Sequence, residues 1–120
     1  MGKNLPADGM IFLNNLVDKV PNISVITKIE VLGFNAPVEH YQLLINFMND
    51  AKVFDLTNNI VDASIEIRKN NKTKLPDAII AATAIVYNLV LISHNVSDFK
   101  NIADLKVIDA HKLQKSLTQQ

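Results

Sequence analysis

The chain predicts an α/β fold, a three-layer α/β/α sandwich around a mainly parallel sheet. Three observations carry this reading. Short apolar runs rich in β-branched residues alternate with longer amphipathic stretches. One run, Leu89-Val90-Leu91-Ile92, has no polar interruption, as in strands covered on both faces. Strands separated by helices pair in parallel through right-handed crossovers. No repeat, low-complexity block or linker divides the pattern, so residues 1–120 read as a single domain.

Taken in order, Pro6 to about Asp18 reads as a first helix, with Met10, Leu13, Leu16 and Val17 on one face. Pro21-Asn22 ends it, and Ile23–Ile26 follows as a buried strand. Thr27 caps a brief helix through Leu32, which Gly33 stops. A helix from Pro37 to Met48 turns Tyr41, Leu44, Ile45 and Met48 inward. Lys52–Leu56 is the next strand, and Thr57 caps a helix carrying Ile60, Val61, Ser64, Ile65 and Arg68 on one side. After the polar loop Asn70–Lys74, Pro76 opens a helix to about Asn88, where its missing N–H costs nothing. The strand at Leu89, a loop from Ser93 to Phe99, a short strand Lys106–Ile108 and a polar tail helix to Gln120 complete the chain.

Composition narrows the function. Twelve basic and 12 acidic residues cancel, so a protein that coats nucleic acid through a global basic excess is excluded. Contact with nucleic acid would be local and helped by a cation. The absence of cysteine excludes disulfide scaffolds and thiolate metal sites, and fits a cytoplasmic protein. The start has no signal-peptide core, and no apolar run approaches the roughly 18 residues of a membrane span, so no membrane partner is expected.

Ligands of open parallel sheets gather at the carboxyl ends of the strands. Glu30, Asp77, Asn95 and Asp98 fall there in this reading. Oxygen donors of this kind suit a hard cation, Mg²⁺ or Mn²⁺, better than zinc. Singly, each has a plainer role. Glu30 reads as solvated surface, Asp77 as a helix-dipole partner, and Asn95 and Asp98 as turn and cap formers. His40, His94 and His111 are scattered, and no two have the spacing of helical metal ligands.

The order of three segments is more specific. Lys74-Leu75-Pro76-Asp77-Ala78-Ile79-Ile80-Ala81-Ala82-Thr83-Ala84 strongly resembles the signature helix of PIN domains, especially VapC-type toxins. Leu91-Ile92-Ser93-His94-Asn95-Val96-Ser97-Asp98-Phe99 is similar to the family's strand-to-loop segment. Ser24 to Gly33 is similar to the segment that delivers its second acidic residue. The resemblance implies a Mg²⁺- or Mn²⁺-dependent endoribonuclease of a toxin–antitoxin pair, with RNA as substrate and a cognate antitoxin as partner. It implies Glu30 and Asp77 as metal ligands and Asn95 at the fourth position, orienting water or metal. Asp98 could substitute there, though it reads first as a cap for the turn at Phe99. Two alternatives are a catalytically inactive PIN domain that binds an antitoxin or another protein, and, more remotely, a receiver-like domain with Asp55 as phosphoacceptor. The receiver reading lacks an acidic pair after the first strand.

One departure stands out. The family's first strand, central in its sheet, ends in an aspartate, and nothing ahead of the first helix here resembles it; Asp8 has no apolar strand before it. The strands at Ile23 and Leu89 would then flank an empty slot. Buried, unpaired backbone groups cost on the order of 1–3 kcal/mol each, so the slot must close. The expectation is direct pairing of those two strands or, preferably, a strand lent by a second chain in a homo-oligomer such as a dimer.

Overall fold

A computed structural model describes residues 11–13, 21–33, 35 and 37–110. Its strands are β1 (Ile11–Leu13), β2 (Asn22–Ser24), β3 (Lys52–Phe54), β4 (Val90–Ser93) and β5 (Lys106–Asp109), and its helices α1 (Val25–Leu32), α2 (Val38–Asp50), α3 (Asn58–Asn70) and α4 (Leu75–Val86). A 3₁₀ turn spans Val96–Asp98. The five strands form one sheet in the order β3-β2-β1-β4-β5.

β2 pairs with β3 and β4 with β5 in parallel, whereas β1 runs antiparallel to both β2 and β4. Four strands therefore share a direction and the middle one is reversed, which keeps the sheet mainly parallel. The expected slot is real, but neither expected remedy is found. The chain's own Ile11–Leu13 fills it, with Phe12 opposite Asn22 on one side and Leu91 on the other. No second chain is needed to complete the sheet. The helix expected over residues 6–18 is a strand where it is described; the remainder, and the tail helix beyond Ala110, lie outside the described residues. Helical periodicity lost to pairing demand: an apolar tripeptide that satisfies the facing edges of two strands gains more than one turn of helix would. Asn22 reinforces the joint, its side-chain amide donating to the Phe12 carbonyl at 3.3 Å.

Alternation along the strands separates two cores. Phe12, Phe54, Leu91 and Val107 face α3 and α4, while Ile11, Ile23 and Val53 face α1 and α2 with Val31 and Met48. This is the expected three-layer sandwich. α4 is its central helix. Ala78, Ala81, Ala82 and Ala84 are completely buried, and their small side chains let the helix lie close to the sheet. Phe12 meets Phe54 edge-on at 6.1 Å beneath it.

Several boundaries shift. The strand ends at Ser24, whose hydroxyl accepts from the Ile26 N–H and so caps α1, the role expected of Thr27. Thr57 caps α3 as expected, accepting from Ile60 N–H at 3.3 Å. On α3, Ile60 and Ser64 are buried, but Val61, Ile65 and Arg68 remain exposed, and Ile67 is buried instead. The turn out of α4 passes through Asn88 in the left-handed region (φ 55), which reverses the chain into β4. α4 thus runs back along β4, and its first turn lies at the carboxyl end of that strand. Among the described residues no helix is long and apolar enough to cross a membrane.

Candidate active site

Three segments converge at the carboxyl ends of the codirectional strands. α1 follows directly from β2 and carries Glu30 on its second turn. The first turn of α4 carries Asp77, next to Pro76. The 3₁₀ turn after β4 carries Asp98. Glu30 comes from the α1–α2 layer and Asp77 from the α3–α4 layer, so the site straddles the sheet's edge.

The electrostatics tie these groups together. Burial, followed by the charge of Asp77, raises the Glu30 carboxyl above its usual range. Burial, followed by the charge of Asp98, raises Asp77, and Lys74 opposes the shift. The N-terminal end of a helix ordinarily favours a carboxylate's charged form. At Asp77 burial, and after it the charge of Asp98, outweigh the opposing charge of Lys74.

A cleft of about 260 Å³ opens beside Asp77, with Lys72, Lys74, Ser97, Asp98 and Asn101 in its walls. Asn95 is exposed at the start of the 3₁₀ turn, its N–H donating to the Ser93 hydroxyl at 3.0 Å, and stands outside the cleft's lining. Asp55 is exposed beyond β3. Among the described residues one buried polar side-chain atom, the Thr27 hydroxyl, has no protein partner. Ser64 and Thr83 satisfy their hydroxyls on the carbonyl four residues back, at 2.7 and 2.8 Å. Thr27 sits too near the start of α1 for a helical carbonyl to lie behind it. It stands one turn before Glu30, where the water shell of a bound ion would complete it.

The donor chemistry fits a hard divalent cation: oxygens only, mutually repelling, with an orphaned hydroxyl a turn away. Among the described residues, however, no three His, Cys, Asp or Glu side chains stand close enough to hold an ion together. The side chains that would hold one are Glu30 and Asp77, supplemented by Asp98 and Asn95.

The sequence pattern that defines the PIN domain matches residues 12–105. The chain belongs to the PIN domain family. Solved structures agree with the fold of this PIN domain. A toxin–antitoxin complex from Klebsiella pneumoniae is 29% identical, over 72% of this chain and 71% of that one, with a TM-score of 0.61. DNA-bound VapBC from Salmonella typhimurium superposes with a TM-score of 0.66 at 23% identity, over 74% of each chain. VapBC2 from Rickettsia felis, bound to a DNA fragment from its promoter, gives 0.63 at 22%, over 72% of this chain and 71% of that one. No curated protein sequence matches. Membership places the chain in a nuclease family and sets aside the receiver-like alternative.

The residues missed in the sequence are Lys72, Lys74 and Asn101 of the cleft wall. The loop Asn70–Lys74 reads there only as polar, although its two lysines, one residue apart, carried a signal. Asp98 reads first as a cap, yet it is the carboxylate whose charge reaches Asp77.

Proposed function

We propose that this PIN domain is a metal-dependent endoribonuclease, the toxin of a toxin–antitoxin pair acting in the cytoplasm. The observation that carries the reading is the convergence of Glu30 and Asp77, half-buried carboxylates from opposite layers, at the carboxyl ends of the strands, where the Asp77 charge is felt at Glu30. Glu30 and Asp77 would hold Mg²⁺ or Mn²⁺, with Asn95 or Asp98 completing the oxygen set. Such an ion, when bound, activates water and stabilises charge developing on a phosphodiester. Asp77 is held by α4, whose buried alanines fix its height above the strand ends. Glu30 is held by α1, whose Val31 is locked into the second core. The two carboxylates are thereby positioned by packing rather than by loops, as a site for in-line attack requires.

The test is cleavage of single-stranded and structured RNA with Mg²⁺ or Mn²⁺, with and without EDTA. EDTA-sensitive cleavage that is lost in Asp77→Asn supports the reading. Cleavage of wild-type strength by that variant overturns it.

A second reading, a protein-binding PIN domain without catalysis, is favoured by an apolar groove between α3 and α4. Leu56, Val61, Ile65 and Leu75 are exposed there around Ile79. We assign that groove to the antitoxin in either reading, since the 29% identical relative is a toxin–antitoxin complex. Exposed apolar strips of this kind commonly mark protein contacts. Co-purification with an antitoxin that survives in the absence of any RNA cleavage would select the second reading.

A further inference from the structure

The walls of the cleft beside Asp77 divide by charge. Asp77 and Asp98 repel an anion; Lys72 and Lys74 attract one, and Ser97 and Asn101 add neutral hydrogen-bond donors. Lys74 is at the N-cap position of α4, but its side chain makes no capping bond. Among the described residues neither Lys72 nor Lys74 closes an ion pair, so both ammonium groups are available to a ligand. The Lys74 charge is felt at Asp77, which places it within reach of the chemistry. Lys72 and Lys74 are separated by Thr73 alone, and the Thr73 N–H donates to the Asn71 carbonyl at 3.0 Å, which folds the loop at Lys72. Because the chain as a whole carries no net charge, a polyanion must be captured by local cations.

We propose that Lys72 and Lys74 form a clamp for the phosphate backbone of single-stranded RNA, positioning the strand against the carboxylates of Asp77 and Glu30. This rests on the ribonuclease reading and adds to it a substrate-positioning segment, the loop between α3 and α4. The lysines act on binding, without the metal, so the clamp can be tested in its absence.

The experiment measures fluorescence anisotropy of a labelled 12-nucleotide RNA in EDTA across a salt series. It compares the wild-type chain with Lys72→Gln/Lys74→Gln and with Lys52→Gln/Lys69→Gln, which removes the same charge elsewhere. Both cleft lysines are exposed, so their replacement should leave the melting temperature unchanged. The clamp variant is expected to bind at least about 10-fold more weakly, and its salt slope to fall by about 1.4, two phosphates at ~0.7 each. Lys72→Arg/Lys74→Arg should restore binding, and the control pair should bind like wild type. Equal losses in the two double variants, or no loss in the clamp variant, overturn the clamp. If Mn²⁺-dependent RNA cleavage persists in that case, the ribonuclease reading stands without it. A wild-type chain that neither binds nor cleaves RNA overturns both.

Discussion

Glu30 on α1 and Asp77 on α4 approach each other from opposite layers of the sheet, and burial followed by the Asp77 charge lifts the Glu30 carboxyl above its usual range. A carboxyl with a raised folded-state pKa stabilises the fold fully only below its unfolded value, here near 4.5 for Glu30 and 3.8 for Asp77. That contribution is lost as pH rises through the folded pKa, so at pH 7 the pair works against folding. Asp77→Asn should therefore raise the melting temperature at pH 7. Solvent screening at these partly exposed groups keeps the gain below about 1 kcal/mol, or roughly 4 °C. The gain should vanish below about pH 4, where both wild-type carboxyls are protonated. Thermal melts at the two pH values check this, and a melting temperature lower than wild type at pH 7 contradicts it.

Phe12 tests the reversed strand. It is completely buried between α4 and the sheet and touches Phe54. Phe12→Ala should cost about 3–5 kcal/mol in urea unfolding, the range for a large core aromatic. A cost under about 1 kcal/mol would mean that Ile11–Leu13 is not the middle strand.

Thr27→Val replaces an orphaned buried hydroxyl with a methyl of similar shape. In the metal-free protein the substitution should stabilise by about 1 kcal/mol, because the desolvation cost of the unpartnered hydroxyl disappears. With Mn²⁺ added, the variant should lose part of the ion-induced rise in melting temperature seen in wild type. An identical Mn²⁺ response in both proteins would separate Thr27 from the site.

Asp98, through its charge at Asp77, should matter more to a bound cation than Asn95 does. Asp98→Asn should weaken Mn²⁺ binding on the order of 10-fold, as loss of a neighbouring carboxylate does at other metal sites. Asn95→Ala should change it less than about 3-fold. Isothermal titration calorimetry reads both, and the reverse ranking would restore Asn95 to the fourth position.

The layer order and α4 with its buried alanines were legible in the sequence because each rests on local pattern, whereas Glu30 and Asp77 were singled out by the order of three segments and not by their own surroundings. Alternation and caps place the elements, and parallel topology brings strand ends together. β1 was not legible, since the periodicity of Met10, Leu13 and Leu16 is helical and only the vacancy between β2 and β4 overrides it. The Ser24 cap was hidden for a related reason: Val25 and Ile26 favour strand, but the sheet pairing stops at Ser24 and its hydroxyl starts the helix. The cleft lysines were visible as residues but not as a wall, because nothing local connects the α3–α4 loop to the turn after β4.

The two parallel pairs, β2 with β3 and β4 with β5, share no ladder, so every strand-to-strand hydrogen bond between them passes through the three residues of β1. A sheet jointed in this way opens along a seam. When β1 lifts away, the facing edges of β2 and β4 are bared at once, on strands that run in the same direction, and bared edges recruit strands from other molecules. Growth of aggregates from this protein should therefore begin at the centre of its sheet rather than at β3 or β5, the strands already exposed at its borders.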